Sequence, residues 1–378
     1  MDAFMYKKFT FFCIIFLSCL NIAHSAQKIE QIDRFNFNFK IYFNSYIHSE
    51  TSNKALDFKK SKLAFSYKLN DELEFNTSFL YSKKNKFEFD VAHFDYHIND
   101  HSVLYIGNVR SIFNMYFEKS ENYLSIIIPT VNRATSFFTK AQGLGLIYKN
   151  NFNDNFTFHL SAIGKNINNS NDDSNILTIR TFYFNENSDN ILHIGLNNNF
   201  IYNDKMKRKD KNINNVYYDF SIRRLNSTGI ELATRLKNFT LESEIFYTKI
   251  NPFAEKLKGK YFDVYNFYSE ISYVLTGEVK IYDKLNGVIK KLKVKNPISN
   301  GGIGTIESVV RYQFTNAISN KNDYSMDLGR HKILLFGLNW LPTNCNKILL
   351  SYSKIKSNYK IRENKNNDEF KIEYRFFW

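Results

Sequence analysis

Apolar and polar residues alternate with a period of two along most of this chain. "FNFNFKIYF" sets Phe35, Phe37, Phe39, Ile41 and Phe43 on one face, and "FKIEYRFFW" sets Phe370, Ile372, Tyr374, Phe376 and Trp378 against Lys371, Glu373 and Arg375. Strand side chains point alternately to opposite faces, so each segment predicts a strand with one greasy face and one wet one. Comparable segments fall at 61–69, 73–82, 86–97, 101–110, 141–149, 155–164, 175–184, 189–202, 227–236, 239–249, 262–275, 304–315, 329–340 and 346–356. With the two terminal segments they make sixteen strands, eighteen being the alternative count. Tight connections at 70–72, 98–100, 150–155 and 237–238 alternate with longer polar ones at 44–60, 111–140 and 203–226. Strands of about ten residues with short turns on one side and long loops on the other predict an all-β fold, a transmembrane antiparallel β-barrel. In a barrel the last strand pairs with the first, which removes the exposed edges and turns the aromatic face of residues 370–378 toward lipid.

Composition agrees with that pattern. Aromatic residues make up 17% of the chain, with 37 Phe and 25 Tyr, yet mean hydropathy is −0.40. Abundant aromatics without long apolar runs mean alternation rather than membrane helices. The exception is the N-terminus, where Lys7 and Lys8 precede "FTFFCIIFLSCLNIA" and Ala23-His24-Ser25. This reads as a signal peptide over residues 1–25, followed by one barrel domain over 26–378. Cys13 and Cys19 belong to the leader, so Cys345 is left without an internal disulfide partner. The formal charge of +14 accompanies a composition rich in Lys, Asn, Ile, Phe and Tyr, as an AT-rich genome produces. Only basic residues at particular places therefore bear on function. The eight histidines and the scattered carboxylates form no triad, metal spacing or phosphate-cradling loop. His93 and His97, four apart on a strand, read as wall or loop polarity. Neither an enzyme nor a bound cofactor is expected, and no nucleic-acid partner.

Four stretches resemble the phosphate-selective porin O and P family. They are "VLYIGNVRSIFNMYFEKSENYLSIIIPTVNRATSFFTKAQGLGLIYK" at 103–149, "YSEISYVLTGEVKIYDKLNGVIKKLKVKNPISNGGIGTIESVVRYQF" at 268–314, "LLFGLNWLPTNCNKILLSYSKI" at 334–355, and the closing strand. Leu275-Thr276-Gly277-Glu278 with Gly337-Leu338-Asn339-Trp340 is the specific combination. The resemblance implies a homotrimeric sixteen-strand channel for small, phosphate-like anions in the outer membrane of a Gram-negative-type bacterium. It also implies contact with outer-membrane lipid and handling by the outer-membrane assembly machinery through the terminal aromatic strand. Carried over residue by residue, "DFSIRRL" at 219–225 becomes the inward-folded fifth loop, with Arg223 and Arg224 as ladder arginines. The third loop contributes Lys119 and Ser120, and Arg133 near its exit. There "SIIIPTVNR" lacks the family's Glu. The long connection 276–303 becomes a turn folded into the lumen, a lysine pool carrying Lys280, Lys284, Lys290, Lys291, Lys293 and Lys295. The competing reading is a barrel kept as a surface antigen or adhesin with little conductance.

Overall fold

In a computed structural model the described residues are 34–48, 51–82, 86–119, 142–153, 155–168, 174–203, 211–213, 216–219, 222–253, 255–257, 259–290, 292–321, 324–360 and 363–377. The leader expected at 1–25 lies outside them, as does Trp378. The strands are β1 (Phe35–His48), β2 (Thr51–Lys68), β3 (Leu73–Ser82), β4 (Lys86–Asn99), β5 (Ser102–Arg110), β6 (Gln142–Phe152), β7 (Phe156–Ile163), β8 (Ser174–Glu186), β9 (Asn190–Asn203), β10 (Lys211–Ile213), β11 (Val216–Asp219), β12 (Ile222–Leu236), β13 (Phe239–Pro252), β14 (Phe262–Val274), β15 (Tyr282–Asp283), β16 (Val288–Ile289), β17 (Thr305–Lys321), β18 (Tyr324–Thr343), β19 (Asn346–Asn358) and β20 (Lys365–Phe377).

β1 to β9, β12 to β14 and β17 to β20 each pair antiparallel with the next barrel strand. β20 then pairs with β1 from Lys40 opposite Phe377 to His48 opposite Glu369, closing a sixteen-strand barrel. The predicted closure of the last strand on the first is thus observed, and the eighteen-strand alternative falls away. Two short hairpins, β10–β11 and β15–β16, lie outside the sixteen-strand ladder. β15 and β16 form a hairpin inside the β14–β17 connection, while β11 reaches over to run parallel with β18 at Val216–Ser325 and Tyr217–Met326.

Burial is inverted relative to a water-soluble sandwich. On β9, Leu192, Ile194 and Leu196 are exposed while His193, Asn197 and Asn199 are buried. On β12, Ile230 is 53% exposed and its neighbour Glu231 0%. The outer face meets lipid and the polar parity fills the inside, so the apolar stripe read from the sequence is the lipid-facing band.

Several strands run past the predicted ends. β1 and β2 stay paired out to His48 opposite Thr51, where a loop at 44–60 is expected, and β17 and β18 stay paired to Lys321 opposite Tyr324. The apolar stripe ends where the lipid ends, but backbone pairing continues, because strands standing in water need no greasy face.

Candidate functional site

The lumen is narrowed from two directions. After β5 the chain turns inward through the short helix α1 (Met115–Glu118) and crosses to the opposite wall. There the Met115 and Tyr116 amides donate to the Glu244 carboxylate at 3.1 and 3.3 Å. Lys119 follows, buried and ion-paired with Glu242. Met115 packs with Tyr282, Val288 and Ile289 of the β15–β16 hairpin and with Phe182, Phe184 and Ile191 of the wall. The two inserted segments therefore brace each other inside the barrel.

The second insertion is the 275–304 connection, lying inside as expected. Its start is fixed by the Leu-Thr-Gly-Glu motif: Thr276 donates to Glu278, Thr305 Oγ1 donates to the same carboxylate at 2.8 Å, and Gly277 takes φ +88°. At its end Trp340 Nε1 donates to the Ile303 carbonyl at 2.8 Å, and Asn339 donates to Glu307 at 2.8 Å. Both motifs behind the family resemblance thus hold the inserted turn. The inner wall grips its middle by main-chain carbonyls. Arg180 donates to Asn286 O at 2.7 Å and Gly287 O at 3.0 Å, His159 to Leu285 O at 2.7 Å, Thr157 to Lys284 O at 3.2 Å, and Arg235 to Lys280 O at 2.5 Å.

The lysines of this turn are arranged unevenly. Lys280 is buried, bonded to Ser272 Oγ at 2.7 Å and paired with Glu307. Burial alone pushes its ammonium pKa down, but the surrounding carboxylates, Glu307 first and then Glu242 and Glu270, together outweigh that and raise it above the usual lysine value. Lys290 sits 2.8 Å from Asp283. Burial pushes the Asp283 carboxyl up, yet hydrogen bonds from Lys290 and Asn286 hold it below its ordinary value. Lys284 is exposed, 3.8 Å from Glu186, and Lys293 and Lys295 are exposed. Lys291, Ser120 and Arg133 lie outside the described residues.

The arginine pair is placed differently from the sequence expectation. Residues 222–225 belong to β12 rather than to an inward loop. Arg224 occupies the outward parity, exposed, with its guanidinium 5.4 Å from the Tyr202 ring. Arg223, at a break in register between Ile222 and Arg224, is half-buried and lies 5.1 Å from the Phe253 ring. The mis-assignment came from ending the strand with its apolar stripe at residue 227, when ladder pairing extends to Ile222.

The open space lies on the other side of α1. Between it and the inner face of β1 to β6 is a cavity of about 430 Å³, lined by six basic side chains, Lys40, Lys60, Lys62, Arg110, Lys119 and Lys149, and two carboxylates, Asp90 and Glu118. Asp90 takes Lys62 at 2.6 Å and also pairs with Arg110, and Glu118 pairs with Lys149. Lys60 and Lys149 lie over the rings of Tyr42 and Tyr105 at 5.1 and 5.3 Å. His93 joins the lining and is 2.5 Å from Asp95.

Of the sequence candidates among the described residues, only Lys119 lines this cavity. Lys40, Lys60 and Lys62 were missed, although the signal was present. In "FNFNFKIYF" the parity opposite the phenylalanines reads Asn36, Asn38, Lys40 and Tyr42, and Lys40 is in register with Lys62 and Tyr42 with Lys60. The polar parity of a barrel strand is its lumen lining, and it was legible as soon as the apolar parity was assigned to lipid.

Solved structures with this architecture include OmpT, an outer membrane protein of Vibrio cholerae, in trimer form, with TM-score 0.59 at 9% identity over 91% of this chain and 99% of that one. The anion-selective porin of Comamonas acidovorans superposes with TM-score 0.52 at 9% identity, covering 91% and 99%. The Salmonella typhi OmpF complex with daunomycin gives 0.58 at 11%, covering 91% and 97%. At such identities the likeness is one of fold. No curated protein sequence matches the chain. The family model described as "Phosphate-selective porin O and P" matches residues 34–376, nearly the whole barrel, and the chain therefore belongs to that family of outer-membrane porins.

Proposed function

We propose that this porin is a passive diffusion channel with a preference for anions, with phosphate among the solutes it passes. The observation that carries the reading is the excess of ammonium and guanidinium groups over carboxylates around the cavity beside α1. An anion entering a narrow path sheds part of its hydration shell, and lysine and arginine donors replace those hydrogen bonds. Two of the carboxylates that hold these cations, Asp90 and Glu118, stand in the cavity wall itself. Lys62, Arg110 and Lys149 are therefore each shared between a fixed carboxylate and a passing solute, which keeps binding weak enough for release. The arrangement calls for no covalent chemistry, so a channel rather than an enzyme is proposed. A homotrimer is proposed with it, on the family membership and on the trimer form described for the Vibrio cholerae protein. So is delivery to the outer membrane by the assembly machinery, after removal of residues 1–25.

Planar-bilayer recording of the purified barrel under a KCl gradient tests the reading. A reversal potential toward the chloride equilibrium potential is expected. A potassium-side reversal, or no conductance steps, would refute it and return the barrel to the surface-antigen reading.

A further inference from the structure

We propose that the cavity beside α1 prefers organic carboxylates bearing an apolar body over inorganic phosphate. The inference rests on the anion-channel reading and narrows it. Cationic and apolar groups share the same walls here. Leu80, Val91, Val109, Ile112 and Ile147 line the cavity together with the lysines. Two of the ammonium groups stand over tyrosine rings rather than in open water. Sites of this size that mix a few placed charges with apolar surface suit solutes that are themselves charged at one end and greasy at the other.

Phosphate makes other demands. Its oxygens point to the corners of a tetrahedron, and tight binding wants donors at each, supplied best by guanidinium forks. Arg110 is the sole guanidinium among the lining residues, and it is held on Asp90, which also holds Lys62. Glu118 likewise stands beside Lys149. A phosphate dianion touching Lys62 or Lys149 brings two negative charges beside a fixed carboxylate, Asp90 or Glu118, where a monocarboxylate brings one. A monocarboxylate turns its single charged end to the ammonium and lays its carbon chain on Leu80, Val91 and Ile147. The mixed wall thereby removes apolar surface from water for the organic acid and gives phosphate nothing in exchange.

The test is block of chloride current through the full barrel in a planar bilayer at pH 7 by acetate, butyrate, hexanoate, benzoate and inorganic phosphate. Half-blocking concentration is expected to fall about three- to fourfold for each methylene that reaches the wall, the fold-change that about 0.8 kcal/mol per buried CH₂ produces. Hexanoate should block at a concentration at least about tenfold below that of phosphate. Leu80→Asn should flatten the chain-length series. Since that variant can misassemble, the wild-type series stands as the primary measurement. A flat series, or phosphate blocking at or below the hexanoate concentration, overturns the inference and leaves the anion channel standing. Reversal on the potassium side overturns both.

Discussion

Arg180 on β8 and Glu231 on β12 meet inside the barrel through a fork, Nε to Oε1 at 2.9 Å and Nη2 to Oε2 at 2.8 Å, with both side chains 0% exposed. The far side of the same guanidinium holds the Asn286 and Gly287 carbonyls of the inserted turn. One ion pair therefore joins wall to wall and wall to insertion. Asn197 also donates to Glu231 at 2.8 Å, so the carboxylate has few unmet needs. Removing one partner of a fully buried pair leaves an uncompensated charge, which costs about 3–5 kcal/mol. Glu231→Ala should lower the denaturant midpoint of the refolded barrel accordingly. The double variant Arg180→Met with Glu231→Met should recover much of that loss in global stability and still release the inserted turn. An unchanged midpoint in Glu231→Ala would show that the pair is not structural.

The barrel was legible in the sequence because lipid imposes a strict alternation on whatever faces it, and residues such as Leu192, Ile194 and Leu196 obey it. The ends of the strands were not, because beyond the bilayer that constraint lapses, as β17 and β18 show beyond Asn316 and Arg330. Arg224 was misplaced for the same reason. The lumen was legible only in part. Which wall faces α1, and which lysines an inward loop leaves beside open space, depends on pairings such as Tyr116 to Glu244 that span 128 residues and have no local signature.

The inserted hairpin depends on Gly287. Its φ is +60°, and a Cβ there would stand 2.5 Å from the Phe182 ring. Gly287→Ala should therefore loosen the hairpin at a cost on the order of 1–3 kcal/mol. Trypsin cleavage after the exposed Lys284 and Lys293 should quicken in the variant while the barrel stays heat-modifiable. Equal cleavage rates would argue that the ring moves aside freely.

Asp283 links the same hairpin to pH. Its carboxyl is held below its ordinary value because hydrogen bonds from Lys290 and Asn286 outweigh the upward push of burial. A depressed carboxylate contributes stability that is fully present above the ordinary aspartate pKa and is lost as pH falls through the lower folded value. The hairpin's resistance to amide hydrogen exchange, measured at each pH and corrected for the intrinsic rate, should drop across that acidic window. Asp283→Asn should show lower resistance at neutral pH and no acid step. A step of equal size in the variant would assign it to another group.

Lys119 is ion-paired with Glu242 inside the constriction. Glu242→Gln keeps a hydrogen-bond acceptor for the ammonium but removes the opposing charge. The prediction is a severalfold rise in chloride-over-potassium permeability, and Lys119→Met should lower it. If neither variant moves the reversal potential, the ion path does not pass this side of α1.

Selectivity finally separates placed charge from compositional charge. Lys60 and Lys62 line the cavity, whereas Arg224 stands on the outer face beside Tyr202. Exposed charges are screened within about 8 Å at physiological salt, while charges in a narrow path with low-dielectric walls keep their influence on a passing ion. Lys60→Gln with Lys62→Gln should cut the chloride-over-potassium permeability ratio severalfold and weaken block by anions, and Arg224→Gln should leave both within error. The Lys62 change leaves Arg110 on Asp90, so the local fold keeps its ion pair. Raising salt should shrink the wild-type preference only gradually if the effective charges are confined. Equal effects from Arg224 and from the lysine pair would mean that the field comes from the net charge of the whole barrel, and the cavity beside α1 would lose its claim to be the anion path.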